Sequence, residues 1–499
     1  MWAQDFLAEH SADKHIINDS WTPSGPMHIG SFRSMVIHDV LRRVLEENKK
    51  SVTYLYGYDD YDPMDGIPVG FNGYEEHLGK PLVNIPAKTK GFKNFADEFI
   101  SENKRNHQVL GIRADHYRTS ELYRGGKFND AIKKVLDRAE VIRRIYREVS
   151  GSSRPDDWYP VQVICPNCGK LGSTYVNAWD DKEVAFTCRK DLVPWAKGCG
   201  YQGKSSPFDG RAKMHWRVEW AAKWDHFQVT IEAAGKDHAN QGGSFDTGER
   251  ILKEVFGKKP IAAFGHEFFL LDGKKMGSTK GIVSPADAYG VFPPELLRFL
   301  IVRNRPSQAI EIDLTKIVPS TYDEYDRCQA AYQGKTDQDL ADYFYYSQID
   351  PAKVDGLVKE RFSTVVSLLQ LPSMRQELER PEVAPRVPFA KNWLKTYAPE
   401  EKRMAVQDKL PPVARDLSPE QKDFLRAAAA GWQPGRAEDI QAWLYKLSQE
   451  KGLKPGEAFQ AIYLSFIGKS SGPKAGDLLA SLNSGFVMRR LEEAAEKSG

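Results

Sequence analysis

Pro23-Ser24-Gly25-Pro26-Met27-His28-Ile29-Gly30-Ser31 is the stretch on which the reading of the fold turns. Prolines and a glycine set a turn, and the segment from Met27 to Leu45 then carries Met35, Val36, Val40 and Leu41 on helical spacing. Such a turn lets a ligand approach the backbone, and the helix N-terminus favours an anion. His28 could donate there to a phosphoryl oxygen. By local pattern alone the stretch also reads as an ordinary turn and helix start. Working outward, Ser51–Tyr58 is a β-branched and aromatic run that ends in Asp59-Asp60-Tyr61-Asp62-Pro63. Open parallel sheets build sites from carboxylates delivered at strand ends. Helices are predicted over 94–104 and 128–149, so the first 150 residues alternate strand and helix.

A second glycine-rich loop, Asp272-Gly273-Lys274-Lys275-Met276-Gly277-Ser278-Thr279-Lys280-Gly281, carries three lysines and two hydroxyls. Mobile ammonium groups among small residues suit a multiply charged anion, although the P-loop spacing is missing. Alone, it also reads as a basic surface turn. Between the two loops come Trp216-Arg217-Val218-Glu219-Trp220, a strand over 227–232, and Gly235-Lys236-Asp237-His238 with Gly242-Gly243. An aromatic wall beside carboxylates and a glycine-rich rim can hold a cationic amino acid next to a nucleotide. Trp216 is expected in a core, and Trp220 is divided between core and pocket.

Four of the five cysteines fall within 35 residues: Cys165, Cys168, Cys188 and Cys199. Cys165-Pro-Asn-Cys168 before Gly169 is a knuckle that supplies two thiolates to tetrahedral zinc, and the later pair completes the set. Four thiolates leave no open coordination position, so a structural Zn²⁺ is expected, with His215 as the substitute ligand. Cys328 stands alone. Sheet-like sequence recurs at 261–271. After Pro293 the signals are mostly helical, at 294–303, 338–345, 354–369, 418–430, 437–450 and 457–466, and Ser418-Pro419-Glu420-Gln421 spells a capping box.

The 499 residues suffice for about three domains. Apolar residues at 41% and charged residues at 28% exclude a wholly disordered chain. A net charge of +2 means that nucleic acid must be held by local patches; Arg489, Arg490, Lys451, Lys454 and Lys474 are candidate phosphate contacts. No stretch reaches the roughly 18 apolar residues of a membrane span, and no repeat of about 20–50 residues is present. A cytoplasmic protein with no membrane partner is expected.

Together the two loops resemble the signatures of class I aminoacyl-tRNA synthetases. Residues 23–31 are similar to the HIGH signature with Ser31 in place of its last histidine, and Lys275-Met276-Gly277-Ser278-Thr279 is similar to KMSKS. The stretches at 56–63, 119–128, 216–220 and 235–244 resemble the class I form of lysyl-tRNA synthetase. The resemblance covers about residues 15–300 well and the remainder more loosely. It implies a Rossmann-like α/β catalytic domain with a zinc-binding insertion, then an all-α region. The expected divisions are 1–150 and 208–290 for the two catalytic halves, 151–207 for the insertion, 291–365 for a helical connecting domain and 366–499 for an anticodon-binding module.

The implied activity is ATP-dependent attachment of L-lysine to lysine tRNA through a lysyl-adenylate, with Mg²⁺ accompanying ATP and the enzyme a monomer. The resemblance assigns His28, Lys275 and Lys280 to catalysis, Lys280 replacing the lysine absent at Ser278. Pro23, His28, Gly30, Ser31, Gly235, Asp237, Lys275, Met276 and Lys280 would hold ATP. Ser20, Thr22, Trp220 and His238 would hold lysine, with Asp60 for its ammonium and Asp59 an alternative. Another nucleotidyl transferase or synthetase on this fold, or a non-catalytic RNA-binding paralogue, would share parts of the pattern.

Overall fold

The structure is a computed structural model that describes residues 1–10, 12–275, 283–354, 359–371 and 375–496. Its centre is a parallel sheet. In chain order come α1 (Trp2–Ala8), β1 (Lys14–Trp21), α2 (Gly30–Glu47), β2 (Ser51–Tyr58), α3 (Phe95–Val109) and β3 (Asp115–Arg118). Then follow α4 (Thr119–Arg124), α5 (Asn129–Asp137) and α6 (Ala139–Ser150). The helix predicted over 128–149 is thus two helices, broken at Arg138. One apolar face of α2, with Met35, Val36, Val40, Leu41 and Val44, is fully buried, as the helical spacing requires.

The chain then leaves the sheet. β4 (Val161–Val163) pairs antiparallel with β8 (Ala212–Met214), and between them β5 (Thr174–Trp179), β6 (Val184–Cys188) and β7 (Gln202–Ser205) form an antiparallel sheet. It returns through α7 (Trp216–Phe227) to β9 (Ile231–Gly235), α8 (Lys236–Ala239), α9 (Ser244–Glu254) and β10 (Ala262–His266). The strand predicted at 227–232 starts later, because α7 runs to Phe227 and ends with Gln228 in the left-handed region at φ 55°. The sheet order is β10-β9-β1-β2-β3 and every pairing is parallel. β1 runs to β2 on one side and meets β9 on the other, so the order reverses between β1 and β9. Ligand crevices in open α/β sheets lie at the carboxyl ends of strands flanking such a reversal.

By internal contacts the chain divides into two compact units. The first comprises 1–288, 294–312 and 336–354, and the second 289–293, 313–335 and 355–499. Residues 291–365, expected as a connecting domain, are shared between them. The second unit is helical: Leu314–Gly334, Phe362–Leu368, Val387–Thr396, Pro419–Gly431, Ala437–Glu450, Pro455–Phe466, Ala475–Ala480 and Ser484–Glu496 are its longer described helices. The capping box forms as read: Gln421 N–H donates to Ser418 Oγ at 3.2 Å and Ser418 N–H to Gln421 Oε1 at 3.1 Å. Arg490 is buried, its guanidinium donating to the carbonyls of Ser465, Gln407 and Asp408. That use as a packing tie removes it from the phosphate contacts expected of it. Among the described residues no helix is long and apolar enough to cross a membrane.

Candidate active site at the switch point

A cavity of about 490 Å³ opens at the carboxyl end of the sheet. One side of it is the turn after β1. His28 folds back over the start of α2, and its Nδ1 accepts from Gly30 N–H at 3.1 Å. A Cβ at position 30 would lie 2.6 Å from that imidazole, so the glycine is needed to seat the histidine. Gly235 repeats the device at the end of β9, where a Cβ would come within 2.7 Å of Asp237 Oδ1. His28, Gly30, Ser31, Gly235 and Asp237 all line the cavity. Pro23 is buried and shapes the turn from behind without lining it. Lys275 is located by its backbone at the end of a short strand opposite Leu270; Met276, Ser278 and Lys280 lie outside the described residues.

The other side is aromatic and acidic. Ser20, Thr22, Trp220 and His238 are all on its wall, with the His238 ring steeply inclined to both Trp216 and Trp220 at 5.6 and 5.5 Å between ring centres. Trp216 is not a core residue. It is 46% exposed at the cavity mouth, because it occupies the first turn of α7, beyond the reach of the sheet. Trp220 is half-buried and its indole N–H donates to Glu232 at 2.8 Å. Trp224 and Asn18 donate to the same carboxylate, at 2.6 and 3.0 Å. Burial nevertheless pushes Glu232 up to about 7.

Asp60, expected to meet an ammonium, does not line the cavity. It is fully buried and already saturated: Arg118 Nε and Ser120 Oγ donate to Oδ2 at 2.7 and 2.6 Å, while Ser120 N–H donates to Oδ1 at 2.9 Å. Its work is to hold the loop after β2. Its neighbours Asp59 and Asp62 line the cavity instead. Burial pushes Asp59 up to about 6, with Lys223 opposing the rise and Asp62 and Glu219 adding to it. The sequence reading missed Asp19, Glu219, Lys223 and Glu232, each on the cavity wall. The signal available was charge in segments otherwise apolar enough to be core.

Cys165, Cys168, Cys188 and Cys199 come together in the insertion, their four Sγ atoms all within 4.8 Å of one another. Cys165 and Cys199 are 3.6 Å apart, and Cys168 and Cys188 are 3.7 Å apart. The set could hold a metal ion with thiolates alone, so no substitute ligand is needed; His215 is half-buried just before α7, packed against Trp158. Cys328 is buried and stands apart.

A twisted parallel sheet with a mixed aromatic and acidic cavity at its switch point, and glycines cleared for two polar side chains at the rim, defines a Rossmann-like nucleotide-handling α/β protein. Residues 2–350 match the family described as "tRNA synthetases class I (K)", and residues 339–495 match "Anticodon binding domain". The chain belongs to the class I tRNA synthetases. It is 33% identical to the lysine--tRNA ligase of Methanosarcina barkeri strain Fusaro, covering 100% of this chain and 98% of that one. It is 31% identical to the lysine--tRNA ligase of Methanocaldococcus jannaschii, covering 98% of each. The lysine--tRNA ligase of Archaeoglobus fulgidus is also 31% identical, over 99% of each chain.

Proposed function

We propose that this chain activates L-lysine with ATP to lysyl-adenylate, releasing diphosphate, and transfers the lysyl group to the terminal adenosine of lysine tRNA, releasing AMP. End-to-end similarity to relatives named lysine--tRNA ligase carries the reading. The cavity agrees with it chemically, having an anion-seating rim on one side and an acidic, aromatic wall on the other. Gly30, Ser31, Gly235, Asp237 and Met276 hold ATP, with Mg²⁺ accompanying it, and Pro23 shapes the first turn. The lysine carboxylate attacks the α-phosphorus and diphosphate leaves; His28, Lys275 and Lys280 stabilise the charge that builds on the transferring group. Ser20, Thr22, Trp220 and His238 seat the amino acid. Asp59 and Asp62, rather than Asp60, meet its ammonium. The helices of 366–499 read the anticodon, with 291–365 as the connecting segment.

The four thiolates hold a structural Zn²⁺ that braces the insertion and takes no part in the reaction. Elemental analysis should find one zinc per chain, and none in Cys165→Ser. The function is tested by exchange of labelled diphosphate into ATP, run with and without lysine tRNA. Exchange should depend on lysine among the twenty amino acids. His28→Ala should lower its rate by about 10²–10³-fold with the fold intact, since its partner exists in the transition state. Exchange driven by a different amino acid would replace lysine in this reading.

A further inference from the structure

Five ionisable side chains form one buried network between the acidic loop and α7. Lys213 Nζ lies 2.9 Å from Asp62 Oδ1 and 2.5 Å from Glu219 Oε2. Lys223 Nζ lies 3.3 Å from Glu219 Oε1 and pairs with Asp59 Oδ1. The Tyr123 hydroxyl donates to Glu219 at 2.6 Å, and the Thr22 hydroxyl donates to Asp62 at 2.8 Å. Lys213, Lys223 and Glu219 are sealed, with 2–3% of their side chains exposed, whereas Asp59 and Asp62 keep 15% and 20% open.

Three carboxylates against two ammonium groups leave one negative charge over, and the two aspartates carry it to the cavity. Without the lysines, carboxylates packed this closely would repel one another and take up protons. With a third cation of its own, the network would be neutral and indifferent to charge. Burial opposes ionisation of Glu219, yet Lys213 and Lys223 hold it below the usual carboxylate range, so its charge persists at neutral pH. We propose that Lys213 and Lys223 are positioning residues that set amino-acid specificity: they hold Asp59, Asp62 and Glu219 at one surplus negative charge, so that this wall takes a side chain with one positive charge. The inference rests on the lysine reading above and adds the groups that enforce it. A substrate ammonium completes the network. A neutral side chain leaves buried charge unmatched, and an acidic one is repelled.

Asp59 is the group whose ionisation can be followed. It is faced by Lys223 and Glu219 from α7, by Asp62 from its own loop, by Tyr117 from β3 and by Tyr56 from β2. Lys213, on β8, acts on it through Glu219 and Asp62.

The test is diphosphate exchange by the full-length enzyme with tRNA present, read as kcat and KM for lysine against pH. Wild-type kcat/KM should fall as the pH drops through about 6, where Asp59 takes up its proton. Glu219→Gln removes the surplus charge. It should raise the lysine KM at least about tenfold at every pH, with kcat changing less, and weaken the preference for lysine over the uncharged analogue norleucine. Lys223→Met leaves a second unmatched carboxylate and should move the acid limb up by about one pH unit or more. Combining Glu219→Gln with Lys223→Met restores the count, and should return both the limb and the lysine preference toward wild type.

A double variant no better than Lys223→Met, or a limb that stays in place in all three, overturns the inference and leaves a structural role. Should the variants not fold, the wild-type profile still decides: a lysine KM flat from about pH 5.5 to about pH 8 overturns it. The two readings fail differently. Preferred activation of another monocationic amino acid displaces lysine but supports the charge count, whereas preferred activation of a neutral one overturns both.

Discussion

Two buried charge clusters sit in the same unit and are built from opposite materials. Around Asp39, in the middle of α2, three guanidinium groups converge: Arg42, Arg43 and Arg298 each reach its carboxylate at 2.8 Å. Arg43 and Arg298 also donate to carbonyls, Arg43 to Gln348 and Gly111, and Arg298 to Leu110 and Tyr346, while Arg42 reaches a second acid, Glu46. The cavity cluster uses lysine instead, two point charges among three carboxylates. A guanidinium fork has donors enough to fasten several backbone segments to one acid, and stays charged while doing so. A lysine ammonium offers three donors to a guanidinium's five, so it neutralises its neighbours while occupying fewer of their lone pairs. The arginine cluster is closed and fastens the molecule; the lysine cluster stays open toward a ligand.

The contrast can be broken most directly at Asp39. Asp39→Ala strands the buried cations of Arg43 and Arg298, leaves Arg42 only Glu46, and should destabilise the first unit by about 3–5 kcal/mol in denaturant unfolding, with the lysine KM of the folded enzyme unchanged. A loss under about 1 kcal/mol would mean the guanidinium groups find other partners and the cluster is no fastening.

Acid offers a second, smaller test, because the two clusters respond with opposite sign. Burial works against the charge of Asp39, yet Arg298, Arg43 and Arg42 hold it down at about 2, from an ordinary 3.8. A depressed carboxylate stabilises the fold above its unfolded value, so about 2 kcal/mol should disappear as the pH falls from about 4 toward 2. Asp59, raised to about 6, binds its proton more tightly when folded. Its contribution should therefore improve stability slightly as the pH falls through 6 toward 4. Unfolding free energies of wild type, Asp39→Ala and Asp59→Asn across that range separate the two. Loss of the low-pH limb in Asp39→Ala and of the mild gain in Asp59→Asn is the expected result, and unchanged curves would disprove it.

The sequence showed the rim of the site and part of its wall, and hid the wall's buried charges. The turn at 23–31, the strand 51–58 and the glycine run at 235–243 advertise themselves through residue types with a narrow range of uses. β1 escaped notice although it is the middle strand. A strand buried on both faces should be an apolar run, but Lys14-His15-Ile16-Ile17-Asn18-Asp19-Ser20-Trp21 is interrupted by groups the site needs. Asn18 donates to Glu232 and accepts from Tyr117, while Asp19 and Ser20 line the cavity. Asp60 misled for the converse reason: adjacent loop carboxylates look alike until their partners are known, and Arg118 and Ser120 come from 58 and 60 residues away. Lys213 and Lys223 went unnoticed: Asp62 and Asp59, which pair with them, come from the distant loop after β2, although Glu219 stands close by in α7.

The position of β1 also sets a schedule for synthesis. One of its edges meets β2 within about 40 residues, but the other meets β9, whose contact with Ile17 is made by Ile231. A ribosome adding roughly 5–20 residues per second leaves that second edge unpaired for about 10–40 seconds. An unpaired apolar strand held open for so long is a template for association with other nascent chains. The polar residues that make β1 hard to recognise, Lys14, His15, Asn18 and Asp19, are of the kind that keeps an edge from recruiting a stranger. What the finished enzyme uses as cavity lining serves the growing chain as protection until β9 arrives.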